Sequence, residues 1–230
     1  AYVTGKKGTD ADYALYQSGL IYGLISKSDE KVTTMKRLIS DFPNSRFVVD
    51  AYFECAEEYM VMGRNAEAEK FYNDILQKFP SNPKANRAYA TLGRIYYNNN
   101  KLSNAVEVYT KLYDNYPGTP EAQAANDMVR KIYSEQGDAK SYVRWKKDRG
   151  GISDNDQDSL MYETGYNAYE KGEFAVAKKG FDAYLQDYPK GSFYLSAHYY
   201  LAQTNEELKN TAEAIKHYSV VALANSGELK

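Results

Sequence analysis

The feature that most constrains the fold of this chain is a short proline-containing segment that would end a helix and that recurs at a fixed interval. The stretch QKFPSNPKA occupies residues 77–85, and DNYPGTPEA repeats its plan 37 residues later, at 114–122. Four prolines that each follow an aromatic residue lie at intervals of 37, 37 and 72 residues: Pro43, Pro80, Pro117 and Pro189. A period of this length is the signature of a repeat architecture in which each repeat is one supersecondary unit.

Other residue types recur in register with these prolines. Small residues share one phase: Gly19, Ala56, Gly93, Gly165 and Ala202. Tyrosines follow this phase by three residues: Tyr22, Tyr59, Tyr96 and Tyr133. Alanines share another phase and have an aromatic residue four positions later: Ala68 with Tyr72, Ala105 with Tyr109, Ala177 with Phe181, and Ala214 with Tyr218. Several independent columns in one register indicate stacked, similar units.

Each unit is predicted to contain two helices. In the unit that starts at Asn82, Pro83 is expected at the first helical position, where its missing N–H costs nothing. Apolar residues then recur at helical spacing until the asparagine run at 98–100. A second helix is predicted from Leu102 and must end before Pro117, because the residue preceding a proline is disfavoured in the α region. Only about three residues separate the two helices, so they must run antiparallel.

The small residues predict where the two helices of a unit approach each other. Gly93 and Ala105 are expected at the closest crossing, because a side chain larger than a methyl group would push the axes apart. Tyr89, Tyr96 and Tyr109 are expected to fill the wider ends of the same interface.

The columns resemble the tetratricopeptide repeat. The residues that carry the resemblance in one unit are Tyr89, Leu92, Gly93, Tyr96, Ala105, Tyr109 and Pro117, and in the unit before it Tyr52, Cys55, Ala56, Tyr59, Ala68, Tyr72 and Pro80. The resemblance extends from about residue 12 to residue 226. It implies an all-α fold, a right-handed superhelical solenoid of antiparallel helix pairs, with about six units of which one is degenerate.

The longer period and the aromatic–Pro hinges are similar to the repeats of bacterial periplasmic proteins, including outer-membrane assembly lipoproteins and Tol-Pal accessory proteins. This narrower resemblance implies a periplasmic or outer-membrane-associated location, with the cytoplasm as the alternative.

Departures from the pattern predict the domain organisation. Lys31 stands where alanine is expected, and Tyr142 and Lys146 stand in the alanine and aromatic columns of one degenerate unit. The predicted division is a front block at 1–149 with units 12–48, 49–85, 86–122 and the degenerate 123–149, a bend at 150–158, and a back block of two units at 159–230. The start AYVTGKKG and the Ser226 that replaces proline suggest a segment of a longer array, because solenoids need capped ends.

Composition limits the partners. The chain has 29 basic and 31 acidic residues and a net charge of −2, which provides no broad field for nucleic acid. No apolar run approaches the roughly 20 residues of a membrane span. We therefore expect no nucleic-acid partner and no direct membrane insertion.

Residues that could support catalysis are few. His198 and His217 are interpreted as packing residues, because nothing around them has metal-ligand spacing. Cys55 is interpreted as a buried thiol, because no histidine is placed to activate it. The sequence predicts no enzyme, no cofactor and no metal site.

Two charged runs have a functional and a structural interpretation. Asp154, Asp156 and Asp158 alternate as in a calcium loop, but acidic residues before a helix are also explained by its positive N-terminal end. The run 143–149, VRWKKDR, is either an anion or partner patch or a basic helix C-terminus with Trp145 covering the bend.

The resemblance also implies a binding surface, since the first helix of each pair lines the concave side of such solenoids. Carried onto this chain, the expected groove residues are Phe53, Glu57, Arg87, Arg94, Tyr97, Asn98, Tyr162, Tyr166, Tyr169 and Tyr199. Tyr162, Tyr166 and Tyr169 lie at i, i+4 and i+7, which places three phenols on one helix face. They are either packed against the degenerate unit or exposed as a binding face.

The resemblance implies a non-catalytic scaffold that binds a peptide or a segment of a partner protein in this groove. The alternatives are a structural spacer in a larger cell-envelope protein, in contact with neighbouring repeats of the same chain, and a glycan-binding helical-repeat protein. A binding module predicts that Tyr97, Tyr162 and Tyr166 are not all buried.

Overall fold

A computed structural model describes residues 10–226, and all regular secondary structure in that range is helical, which confirms the all-α prediction. The twelve helices of the described residues are α1 Ala11–Leu24, α2 Ser28–Asp41, α3 Val48–Val61, α4 Asn65–Lys78, α5 Ala85–Asn98, α6 Leu102–Asn115, α7 Pro120–Glu135, α8 Ala139–Lys147, α9 Asp154–Glu170, α10 Phe174–Asp187, α11 Tyr194–Glu207 and α12 Thr211–Ser226. None of them is both long enough and apolar enough to span a bilayer. The start at 1–8 that suggested a longer array lies outside the described residues.

The two similar proline-containing segments, residues 77–85 and 114–122, have different local structures. Pro120 is the first residue of α7, and the Thr119 hydroxyl accepts a hydrogen bond from the Ala122 N–H at 3.1 Å. Pro83, in contrast, precedes α5 by two residues, so the prediction that it occupies the first helical position was wrong. The Asn82 side chain accepts from the Lys84 N–H at 2.9 Å, which holds Pro83 in a turn before the helix.

The small residues do lie where paired helices approach each other, as predicted. The residue that packs against them on the second helix, however, differs from the predicted one. A Cβ atom on Gly93 would lie 2.6 Å from Cε1 of Tyr109, and one on Gly165 would lie 2.8 Å from Cδ1 of Phe181. The aromatic residue sixteen positions later therefore packs directly on the glycine, whereas Ala105 had been expected there. At these two crossings the ring lies so close to the backbone that an added methyl group would clash with it.

Lys31, which replaces the expected alanine, bridges α2 and α3. Its ammonium group donates to Glu58 at 2.9 Å and pairs with Glu54 at 2.8 Å. Desolvation lowers the pKa of Lys31, but the hydrogen bonds to the two glutamates outweigh this effect and raise it. The repeat accommodates a charged residue in its packed column because two acceptors from the next helix satisfy it.

The chain forms two compact units, residues 1–125 and 126–230. In the first unit, each of α1 to α5 packs on the next helix along the chain; in the second, each of α8 to α11 does so, and α9 also contacts α11. Residues 154–158 of the predicted bend at 150–158 are helical, because α9 begins at Asp154. The front and back blocks defined by the repeat pattern stay a prediction.

The degenerate repeat comprises α7 and the short α8. Tyr142, which replaces the alanine of the motif, is buried, and its hydroxyl donates to Oδ1 of Asn126 at 3.0 Å. Trp145 is also buried, and the Arg149 guanidinium lies 4.8 Å from its ring centroid. The indole is therefore a core residue rather than part of an exposed patch, and its predicted role of covering the bend stays a prediction.

Candidate functional site

The predicted phenol stripe of α9 forms one continuous aromatic surface. The Tyr162 ring stacks on Phe193, with 4.6 Å between centroids and 6° between planes, and the Tyr166 ring lies 5.9 Å from Tyr162. Tyr162, Tyr166 and Tyr169 are each partly exposed, and so is Tyr97 in the first unit. The condition set for a binding module, that these tyrosines are not all buried, is met.

Residues of α11 extend this surface. Tyr200 lies edge-on to Tyr166 at 4.9 Å and 5.3 Å from Tyr169, and Tyr199 packs edge-on against Tyr200 at 5.3 Å. Tyr199 is 41% exposed, which makes it the most accessible ring of the group. We call these five residues the tyrosine face: Tyr162, Tyr166, Tyr169, Tyr199 and Tyr200. Tyr200 was not among the predicted groove residues.

Hydrogen bonds fix the orientation of these phenols. The Tyr169 hydroxyl donates to Oε1 of Gln203 at 3.0 Å, and Nε2 of Gln203 donates to the Tyr199 hydroxyl at 3.1 Å. The Tyr166 hydroxyl donates to Glu170 at 3.0 Å, and this bond together with desolvation raises the pKa of Tyr166 to about 12. The rings are thus held in place before any partner arrives, which reduces the entropy lost on binding.

A buried carboxylate supports the tyrosine face from below. Asp158 accepts from the Tyr184 hydroxyl at 2.6 Å and from the Ser192 N–H at 2.8 Å, and it joins α9 to the loop before α11. Desolvation raises the pKa of Asp158, but these hydrogen bonds outweigh it and lower the pKa below its usual value. The Tyr162 ring packs edge-on against Tyr184 at 5.9 Å.

The other two aspartates of the run 154–158, Asp154 and Asp156, lie at the N-terminus of α9. Ser153 caps α9 by accepting from the Asp156 N–H at 3.2 Å, and Asp154 and Asp156 lie in the first turn, where the helix dipole favours negative charge. Since Asp158 points instead to Tyr184, the three side chains do not converge.

Three of the residues predicted for the groove of the first unit contact one another. Phe53 is only 6% exposed, because its ring packs edge-on against Tyr72 at 6.0 Å and the Arg87 guanidinium lies 5.6 Å above it. Arg87 also forms an ion pair with Glu57. Phe53 therefore lies beneath this surface, and the groups that a partner could contact there are Arg87 and Glu57.

The remaining predicted residues of the first unit lie further along α5. Arg94 is exposed and acts electrostatically on the phenols of Tyr72 and Tyr109, and Tyr97 acts on Tyr109 as well. Asn98 is the exposed last residue of α5. Their role in binding stays a prediction.

The sequence did not predict a cleft of about 340 Å³ between α7 and α9 in the second unit. Arg130 of α7 and Glu163 of α9 bridge it at 3.0 Å, and Leu160 and Ala168 form its apolar floor. The only signal in the sequence is Arg130 itself, which stands in the small-residue column of the degenerate repeat.

Cys55 is fully buried, and desolvation raises the pKa of its thiol to about 12. The reactive thiolate form is therefore almost absent at neutral pH.

His198 of α11 and His217 of α12 form a buried pair whose Nδ1 atoms lie 2.7 Å apart. Desolvation lowers the pKa of both rings, that of His198 to about 4, and for His198 the neighbouring His217 adds to the effect. Tyr194 packs edge-on against His198. The charged groups that act on the pair from α10 and α12 are Lys178, Asp182, Glu213 and Lys216.

This pair predicts that the second unit loses stability in mild acid. Imidazoles of the unfolded chain protonate near pH 6.5 whereas His198 stays neutral when folded, so stability present above pH 6.5 is lost as the pH falls toward 4. We expect a loss of about 1–2 kcal/mol between pH 7 and pH 5. Urea unfolding followed by the fluorescence of Trp145, the only tryptophan, measures it in this unit. The double variant H198L/H217L is the control; an equal loss in that variant would exclude the pair as the cause.

Comparisons with known proteins agree with this fold. Family profiles described as tetratricopeptide repeat match residues 54–120, 162–228 and 13–45. A tetratricopeptide repeat protein from Parabacteroides merdae has a TM-score of 0.52 at 12% identity, over 91% of this chain and 78% of that chain. The pilF protein of Pseudomonas aeruginosa has a TM-score of 0.45 at 15% identity, over 96% of this chain and 94% of that chain. A search of curated proteins found no match. The similarity to the Parabacteroides merdae protein shows the fold alone.

Proposed function

The chain belongs to the tetratricopeptide repeat family, and we propose that it is a scaffold that binds an extended peptide segment of a partner protein on its first helices. The tetratricopeptide fold is generally a protein–protein interaction scaffold. Within this chain, the proposed contact surface is the tyrosine face of α9 and α11. The predicted residues of α3 and α5 are proposed to offer a second contact surface in the first unit.

The observation that carries the proposal is the arrangement of the tyrosine face itself. Tyr162, Tyr166, Tyr169 and Tyr199 keep part of their surface accessible while their hydroxyls or rings are held by neighbours. Tyrosine is enriched in interface hot spots, because it supplies a large contact area with few rotatable bonds. Pre-oriented phenols therefore support recognition of a partner.

Peptide selection tests this proposal. A random dodecapeptide phage library is selected on the immobilised chain, and the affinity of the selected peptides is measured by fluorescence anisotropy. We expect Tyr199→Ala to weaken binding at least tenfold, because a hot-spot side chain is worth about 1.4 kcal/mol or more. Tyr199 is 41% exposed but also packs on Tyr200, so a small fall in melting temperature is expected, and affinities are compared at a temperature at which both proteins are folded.

Tyr13→Ala is the matched control, since Tyr13 is 47% exposed on a first helix of the other unit. Peptides that bind the Tyr199→Ala variant as tightly as the wild type would contradict the proposed surface. A selection that yields no binding peptide would count against the scaffold function as well.

A specific observation favours the spacer as a second function. Ile21, Leu24 and Ile25, at the C-terminal end of α1, are each more than half exposed, at 55%, 84% and 57%. Three adjacent apolar side chains in water form a surface on which a further helix of a longer repeat array would pack. Exchange of Leu24 and Ile25 for serine should raise solubility if this surface is normally covered, and it should leave peptide binding at Tyr199 unchanged.

The narrower resemblance to periplasmic repeats and the location that it implies stay predictions. Fractionation of cells that express the native gene would test them.

A further inference from the structure

Three carboxylates lie at the C-terminal ends of α9 and α11, the helices that carry the tyrosine face. Glu170 is the last residue of α9, and Glu206 and Glu207 are the last two residues of α11; all three are exposed or partly exposed. Glu170 accepts from Tyr166, and Glu206 accepts from the Tyr218 hydroxyl at 2.6 Å. Within residues 10–226, none of the three carboxylates forms an ion pair with a lysine or an arginine. The nearest basic residues in sequence are Lys171, the C-cap residue of α9, which also lines the cleft between α7 and α9, and Lys209, two residues after Glu207.

The position of these carboxylates is unfavourable for the helices that carry them. The C-terminal end of a helix is the negative end of its dipole, where basic side chains are stabilising and acidic ones are not. Neither α9 nor α11 has a basic residue in its last turn. Among the twelve described helices, only α4 and α8 have basic residues in the last turn. The two acidic ends thus add to the negative potential of the dipoles.

In the first unit, basic side chains of the same chain pack on several tyrosine rings. Cationic side chains lie over three of them at 4.7–5.5 Å from the ring centroid: Arg64 over Tyr59, Lys78 over Tyr52 and Lys101 over Tyr96. In the part of the chain that the structure describes, no lysine or arginine covers Tyr162, Tyr166, Tyr169 or Tyr199. Phe193 stacks on Tyr162, so the rings that a cation from outside can reach are the accessible parts of Tyr166 and Tyr199.

We propose that the tyrosine face binds a cationic segment, a stretch of a partner protein that contains lysine or arginine. The inference rests on the proposed function and names the chemistry of the partner at that surface. An ammonium or guanidinium group would lie over the exposed Tyr199 or Tyr166 ring, and its N–H groups would donate to Glu207 or Glu170. Both interactions strengthen in the partly desolvated contact, and their charges are complementary to the acidic helix ends.

The peptides selected on the whole chain provide the test. We expect them to be enriched in lysine and arginine, and replacement of those residues by glutamine should weaken binding at least tenfold. The double variant E170Q/E207Q should weaken binding of the unmodified peptides about threefold to tenfold, and the affinity of wild type should fall as salt rises. The control is Glu163→Gln, a carboxylate on another side of α9 that pairs with Arg130, which should leave binding unchanged.

A thermal melt separates binding from a structural role. Because the acidic helix ends oppose the dipoles, E170Q/E207Q should melt at the same temperature as wild type or higher; a lower melting temperature together with weaker binding would assign the glutamates a structural role and overturn the inference. Peptides that depend on Tyr199 but are neutral or acidic would also overturn it and leave the proposed function standing. Peptides that do not depend on Tyr199 would overturn both.

Discussion

Tyr184→Ala is expected to lower the free energy of unfolding of the second unit by about 3–5 kcal/mol, because removal of a fully buried aromatic side chain leaves a cavity. The substitution also removes the hydroxyl that donates to the buried Asp158 at 2.6 Å and accepts from the Phe193 N–H at 2.9 Å. Urea unfolding followed by Trp145 fluorescence measures the change, since this buried tryptophan belongs to the same unit.

Tyr184→Phe separates the two contributions. It keeps the ring and removes only the hydroxyl, so Asp158 retains the Ser192 N–H as a donor but loses a charge-assisted hydrogen bond. We expect a loss of about 1.5–3 kcal/mol. If the phenylalanine variant were as stable as wild type, the hydrogen bond between Tyr184 and Asp158 would not contribute to the stability of the support beneath the tyrosine face.

Tyr109→Ala is expected to destabilise the first unit by about 3–5 kcal/mol for the same cavity reason. Its ring lies directly on Gly93, so Gly93→Ala is also expected to destabilise, by about 1–3 kcal/mol through overpacking. In the Tyr109→Ala background, however, the added methyl group enters vacated space. The double variant should therefore be more stable than the sum of the two single losses predicts, with a coupling energy of about 1–3 kcal/mol.

Far-UV circular dichroism during urea unfolding measures all four proteins of this cycle. Gly63→Ala is a contrasting control: nothing lies within 4 Å of the added Cβ, and the strain arises only from its positive φ of 71°. Its effect should be the same in the wild type and in the Tyr109→Ala background. Additive losses for Gly93→Ala and Tyr109→Ala would mean that the two residues do not contact each other.

The fold could be predicted from the sequence because its determinants are local and repeat. Helix ends, the aromatic–proline segments and the spacing of small and aromatic residues all lie within a single helix pair, and the pattern recurs through the chain. The details that were missed depend on partners from other positions. Gly93 packs on Tyr109 rather than at Ala105, and Lys31 is tolerated because α3 supplies Glu54 and Glu58.

The candidate site could be predicted only in part, for a related physical reason. The spacing of Tyr162, Tyr166 and Tyr169 fixes the helix face on which they lie, since that is a property of one helix. Whether such a residue is accessible depends on what the adjacent helices place over it. Phe53 occupies the same repeat position as Tyr162, yet Arg87 and Tyr72 cover it. Tyr200 joins the surface through contacts between α9 and α11 that no single helix encodes.

The measurement that tests the central claim most directly is a map of a bound peptide on the chain. Amide chemical shifts of the isotope-labelled protein are followed by NMR as a selected peptide is added. Binding on the tyrosine face predicts that the largest shifts fall on the residues of α9 and α11 around Tyr166 and Tyr199, with little change in α10. Shifts concentrated in α10 and α12, and absent from α9, would contradict the claim that the first helices hold the partner.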